Sequence, residues 1–279
     1  MEAKALTMNP LLSFLCFVFM AALSQICAGE ISFVALDGTT DKVLFEHGQR
    51  CNQRYSPCST FKIALSLIGF DLGILQDEQN PEMPYEGYSV KVDSWKCSQT
   101  PTTWMQRSVV WYSQVLTQRI GLSRMGNYIA LFGYGNQDLS GDRGENNGLT
   151  HAWLSSSLKI SAIEQTAFLQ KLLTGRLPVS PHAQQMTKNL LFCDTLEQGW
   201  KLYGKTGTGF ERYHDGSPDF TRQIAWFVGW IEKNDHKFIF ALNISELQDV
   251  PTKDERTGIV VKHFKEAGIL TNKTSPLEK

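Results

Sequence analysis

Apolar residues along this chain fall into blocks of different period. Leu11 to Leu23 is an apolar run of 13 residues, shorter than the roughly 20 residues a membrane-spanning helix needs. Ile31 to Leu36 and Lys42 to Glu46 are short β-rich runs, and Asp37-Gly38 between them is a hairpin signal. Cys58 to Leu75 is apolar on nearly every face, with Pro57 where proline suits a helix start, which predicts a helix buried inside the molecule. Gln106 to Ile120 and Glu164 to Thr174 have the spacing of amphipathic helices. Gly133 to Leu149, rich in Gly, Asn and Asp, predicts loop. Lys201 to Tyr203, Gln223 to Glu232 and Lys237 to Ile244 are aromatic and β-branched, and predict three sequential strands in an antiparallel meander. Thr252 to Leu270 closes the chain as a helix whose apolar residues include Ile259, Val260, Phe264 and Ile269. Strands at both ends with helices between predict an α/β fold of α+β character. Its central antiparallel sheet is built from both termini and flanked by helices, with an all-helical region inserted. The sheet region takes in residues 29–57 and 199–279 and the helical region 76–198, all in a single domain, 29–279.

Composition narrows the classes. The 279 residues carry 27 Lys+Arg and 28 Asp+Glu, a net charge of −1, with 42% hydrophobic and 20% charged residues. That balance fits a packed core and excludes intrinsic disorder. It also supplies no whole-molecule field for nucleic acid or an anionic membrane. Lys4, the apolar run and the small residues after it form a signal-peptide pattern, residues 1–28, with cleavage after Ala28 and the alternative after Ser24. Export would place the chain in the periplasm, with no membrane span left once the signal is removed. Cys16 and Cys27 leave with that signal, and Cys51, Cys58, Cys97 and Cys193 remain, which allows three pairings. Cys51 and Cys58 flank a short turn, where a bridge and buried free thiols are both open. Neither the cysteine spacing nor the six histidines form a metal-binding pattern. Asn243-Ile244-Ser245 and Asn272-Lys273-Thr274 fit the glycosylation pattern, which recurs by chance.

Chemistry concentrates at two places. Ser59-Thr60-Phe61-Lys62 opens the buried helix, and residues three apart in a helix share a face. A serine needs a neighbouring base to become a nucleophile, and a lysine can serve if burial keeps it neutral. Lys62 falls in an apolar run where an unpaired ammonium is costly. The second place is Lys205-Thr206-Gly207, beside a predicted strand. Lysine and threonine offer a cation and a hydroxyl to a carboxylate, and Gly207 lets a ligand lie along the backbone as an added strand. Gly199 to Thr206 also fits the phosphate-loop spacing G-x-x-x-x-G-K-[ST]. Bulky Trp200, Leu202 and Tyr203 fill its loop positions and Gly207-Thr208-Gly209 stands where a helix should begin, so that reading is rejected. His151 is read as a capping or surface residue.

S-x-x-K followed downstream by K-T-G is the signature pair of penicillin-recognising serine enzymes. Ser108-Val109-Val110, on a predicted helix, resembles the S-x-V element of the class D β-lactamases, the oxacillinases. Tyr134-Gly135-Asn136, Trp153-Leu154 with Ile160-Ser161, and Phe227-Val228-Gly229-Trp230 are similar to further elements of that class, in the same order along the chain. The resemblance implies hydrolysis of β-lactam antibiotics through an acyl-enzyme on Ser59. Lys62, carboxylated by CO2, would act as general base, with no separate cofactor molecule and no metal. Val110, Trp153 and Leu154 would line the pocket around that lysine, and Ser108 would relay a proton. The N–H groups of Ser59 and Thr208 would form the oxyanion hole. Lys205, Thr206 and Gly207 would face the substrate carboxylate, with Arg256 the candidate for a further cation. Thr208 stands where the class often has an aromatic residue. A penicillin-binding transpeptidase or carboxypeptidase and a non-hydrolysing β-lactam sensor share the same residues and are the alternatives. The expected partner is a small-molecule β-lactam and not nucleic acid, with monomer and homodimer both open.

Overall fold

A computed structural model describes residues 29–270. The signal segment 1–28, the proposed cleavage after Ala28, and Asn272 lie outside the described residues. Six strands form one antiparallel sheet, β1 (Glu30–Asp37), β2 (Val43–His47), β3 (Phe192–Thr195), β4 (Lys201–Arg212), β5 (Pro218–Lys233) and β6 (His236–Leu247), in the order β2-β1-β6-β5-β4-β3. The first two strands thus join the last ones, and the helical region is an excursion between them. Asp37 starts the β1–β2 turn by accepting from the N–H groups of Thr39 (2.8 Å) and Thr40 (3.0 Å).

Side chains alternate across a strand, so this sheet has two faces. Phe33, Ala35, Phe227, Phe240 and Leu242 pack on one side with Val260 and Phe264 of the last helix, α8 (Lys253–Glu266). Val34, Trp226, Val228, Trp230 and Ala241 face the helical region. There α1 (Lys62–Asp71) is buried from Lys62 through Phe70, as its all-round apolar sequence predicts. Around it stand α2 (Pro101–Arg107), α3 (Val110–Ile120), α4 (Leu122–Phe132), the short α5 (Gly148–His151), α6 (Ala162–Leu173) and α7 (Pro181–Leu190). Reciprocal capping boxes, Thr100 with Thr103, Ser161 with Glu164 and Thr252 with Glu255, fix the starts of α2, α6 and α8.

The structure corrects several expectations. The helix over Gln106–Ile120 is two helices, because Ser108 adopts a left-handed conformation (φ 58°) and Val109 an extended one. Helical spacing continues on both sides of the break, so periodicity could not register it. The segment Cys58–Leu75 begins as a 3-10 turn, Cys58–Phe61, and its α-helix stops at Asp71. The strand β3 was not expected, being four residues long and mostly exposed. The expected strand at Lys201–Tyr203 runs on to Arg212, since pairing with β5 carries the Gly- and Thr-rich stretch that intrinsic preference does not. No Cys51–Cys58 bridge forms. All four described cysteines are free, with the Cys51 thiol donating to the His47 carbonyl at 3.3 Å and the Cys58 thiol to that of Ser56 at 3.5 Å. Asn243 is buried in β6 and is no glycan acceptor. Among the described residues no helix is long and apolar enough to cross a membrane.

Candidate active site

The site lies where the Cys58–Phe61 turn meets the outer edge of β4. Beyond Tyr203, β4 has no β3 partner, so its edge is open there. The approach to the turn is close. A Cβ on Gly207 would stand 2.9 Å from the Pro57 carbonyl oxygen and 3.3 Å from the Ser59 nitrogen, and one on Gly209 would stand 2.4 Å from the Cys58 sulfur. Glycine at both positions is therefore what lets the strand lie beside the nucleophile turn. Cys58, directly before Ser59, has φ 51°, a conformation that costs about 1–3 kcal/mol outside glycine and clusters at functional turns.

Ser59 is half-buried, and its Oγ accepts from the fully buried Lys62 Nζ at 3.3 Å. The expected pair is thus formed one turn into the buried segment. Burial drives the Lys62 ammonium well below its ordinary range, and the nearby charge of Lys205 adds to the effect. Lys205 is itself buried and is lowered to about 7, chiefly by burial. Its Nζ donates to Ser108 Oγ and, at 3.0 Å, to the Thr206 carbonyl. The break between α2 and α3 explains this contact, because the left-handed turn aims Ser108 at β4. Ser59, Lys62, Ser108 and Lys205 thus form one polar cluster.

Trp153 is fully buried and packs on Phe61, with ring centroids 5.3 Å apart. Its indole Nε1 has no hydrogen-bond partner among the described residues. A buried donor left unsatisfied is expensive, which marks the position as one awaiting an acceptor. Leu154 and Val110 are half-buried, and Val109 rather than Val110 is the fully buried valine of that stretch. Thr206 is half-buried and Thr208 exposed on β4. Arg256 reaches the same strand from α8. Its Nη1 donates to the carbonyls of Gly207 and Trp226, both at 2.9 Å, and its Nη2 lies 3.5 Å from Thr208 Oγ1. Much of its donor capacity is therefore spent on holding β4 against α8.

Sequence reasoning missed Ser56, Ser155 and Arg212. Ser56 Oγ donates to the Trp153 carbonyl (2.8 Å) and accepts from the Ser155 N–H (3.0 Å). Arg212 donates to the Ser155 carbonyl. Serines in turns and a lone arginine at a strand end carry no pattern, and only the proximity of Ser155 to Trp153 hinted at a role. Among the described residues no group of three or more His, Cys, Asp or Glu side chains could hold a metal ion.

Comparison with known proteins agrees with this geometry. Residues 31–264 match the penicillin binding protein transpeptidase domain. The chain is 40% identical over 245 residues to beta-lactamase OXA-9 of Klebsiella pneumoniae, covering 84% of this chain and 89% of that one. It is 43% identical over 213 residues to beta-lactamase OXA-1 of Escherichia coli, covering 76% and 74%. The crystal structure of the class D β-lactamase OXA-427 superimposes with a TM-score of 0.77 at 42% identity, over 85% of this chain and 99% of that one. A shared domain, relatives at this identity along most of both chains and a matching solved structure together settle the family: this chain is a class D β-lactamase, a serine enzyme of the penicillin-binding transpeptidase fold.

Proposed function

We propose that this protein hydrolyses β-lactam antibiotics through an acyl-enzyme on Ser59 and so confers resistance. The observation that carries the reading is the contact of Ser59 Oγ with the fully buried Lys62, 3.3 Å away, where burial disfavours the ammonium. Only a neutral amine captures CO2, losing a proton to solvent as it does. The pocket fits the resulting carboxylated lysine, because the unpartnered Trp153 Nε1 supplies a donor to it and Val110 and Leu154 supply apolar walls. When present, that group supplies an anionic general base beside Ser59.

The remaining roles fall to the chain's own atoms. The Ser59 hydroxyl proton leaves toward the Lys62 side as Oγ bonds to the lactam carbonyl carbon. The N–H groups of Ser59 and Thr208 hold the developing oxyanion, a device worth about 2.7–4 kcal/mol per donor. Ser108 gives its proton to the departing lactam nitrogen and regains one from Lys205, with which it is already hydrogen-bonded. Lys205 and Thr206 receive the substrate carboxylate, Gly207 leaves room for the ligand along β4, and the Arg256 Nη2 beside Thr208 adds positive charge. Water then releases the acyl group, and no separate cofactor takes part. The first 28 residues act as the export signal, and residues 29–279 work in the periplasm as one domain.

Intact mass spectrometry tests the nucleophile. Brief exposure to a penicillin should add one antibiotic mass on the peptide holding Ser59, decaying as product forms. Ser59→Ala should add none, and an adduct that persists in that variant would place the nucleophile elsewhere.

A further inference from the structure

Ser155 is a non-glycine residue with φ 54°, two positions after Trp153. Such a conformation persists only where its surroundings over-determine it, and here they do. Its N–H donates to Ser56 Oγ (3.0 Å), its Oγ accepts from the Phe210 N–H on the open edge of β4 (3.0 Å), and its carbonyl accepts from Arg212 Nε. Ser56 in turn donates to the Trp153 carbonyl (2.8 Å), and its own carbonyl accepts from Trp226 Nε1 (2.9 Å). Three residues after Ser56 comes Ser59. The backbone on either side of the Trp153 ring is thus tied to the nucleophile turn, with Arg212 on its outer side.

Arg212 has no partner that would explain it as a substrate group, because its donors are engaged inward. Besides the Ser155 carbonyl it holds the Gly216 carbonyl (2.6 Å) and pairs with Asp142 (2.8 Å), and its guanidinium lies 5.8 Å from the Phe210 ring centroid. Asp142 is itself held by Asn147, which joins the Gly- and Asn-rich loop before Trp153 to the same clamp. One planar fork therefore spans three segments, the β4–β5 hairpin, the 139–147 loop and the Trp153–Ser155 turn.

We infer that Arg212 is a positioning residue for the base pocket, holding Trp153 and Ser155 in place so that the indole donor meets the carboxylated Lys62. The inference rests on the proposed role of that lysine. Losing the fork lets Ser155 leave its left-handed conformation, and the indole donor then no longer has a fixed place. The consequence is weaker carboxylation rather than weaker substrate binding.

Titration of the full-length protein with 13C-bicarbonate, read by the carbamate 13C signal, tests it. The signal is assigned to Lys62 by its absence in Lys62→Ala. Arg212→Ala should raise the half-saturating bicarbonate by about tenfold, as expected for losing hydrogen bonds from a charged donor. Turnover should fall in parallel at ambient CO2 and return at saturating bicarbonate, with KM within about twofold of the parent. Arg212→Lys keeps a cation for Asp142 without the fork, and should show a smaller shift. It reads the same quantity if the alanine variant does not fold. A parent-like bicarbonate curve in either folded variant, or a turnover defect that saturating bicarbonate leaves in place, overturns the role of Arg212. A parent protein with no such signal overturns the carboxylated-lysine reading itself, and this inference with it.

Discussion

Two buried lysines decide the chemistry at the scale of single residues. Neither has a carboxylate partner in the cluster, so burial lowers both; the charge of Lys205 lowers Lys62 further, and those of Arg256 and Lys253 lower Lys205. Lys62 must be neutral to work, and Lys205 must carry a proton to meet a carboxylate and to refill Ser108. The dependence of kcat/KM on pH should therefore be bell-shaped, with an acid limb from Lys62 and an alkaline limb near 7 from Lys205. Bound substrate carboxylate favours the charged Lys205, so the alkaline limb of kcat should lie above that of kcat/KM. An alkaline limb at the same pH in both profiles contradicts the pairing. Lys62→Ala should lower turnover by about 10^2–10^4-fold, the usual worth of a general base. Parent-like rates in that variant would refute the mechanism. Ser59, Lys62 and Lys205 were legible in the sequence because S-x-x-K and K-T-G place few residue types at fixed spacing. Ser155 and Cys58 were not, because a positive φ at a non-glycine residue is imposed by tertiary contacts and leaves no mark in the local sequence.

Elements bring those residues together through two features, the tight approach of β4 to the Cys58–Phe61 turn and the break between α2 and α3. Gly207→Ala tests the first. Its added methyl would press on the Pro57 oxygen at 2.9 Å and must push strand and turn apart, so acylation should fall about 10–100-fold from misplacement alone while the protein stays folded. Gly209→Ala meets the Cys58 sulfur and Ser155 Oγ at 2.4 and 2.5 Å, and should be worse in both stability and rate. Stopped-flow acylation and thermal melts distinguish the two effects. If Gly207→Ala acylates at the parent rate, the close approach is not what positions the oxyanion donors. Five of the six strands and the helices α1, α3, α6 and α8 were readable because alternation and helical spacing report burial directly. The break at Ser108 was not, since both flanking helices keep their apolar spacing across it.

For the whole molecule, the same buried lysines set how stability responds to pH. Both have folded-state values below the 10.5 of an unfolded lysine, so between the folded and unfolded values the unfolded chain binds more protons. Stability then rises with pH across that window, about 7 to 10.5 for Lys205, by up to ~1.4 kcal/mol per unit for each lysine. Melting temperature should climb from pH 7 to 9, until other groups titrate. Lys62→Met should flatten the climb and raise stability near pH 7 by about 1–2 kcal/mol while removing turnover, because methionine fills the site without the cost of stripping a proton from a buried lysine on folding. A less stable Lys62→Met protein would mean that burying the Lys62 amine costs the fold nothing. The sheet from both chain ends and the helical insert were legible from the order of patterns along the chain. The central claim, that this cluster turns antibiotic over rather than merely binding it, is tested most directly by steady-state hydrolysis of a chromogenic β-lactam with and without added bicarbonate. The account predicts many product molecules per enzyme, at a rate that bicarbonate increases. A burst of one equivalent that leaves a stable acyl-enzyme on Ser59, with or without bicarbonate, would contradict it.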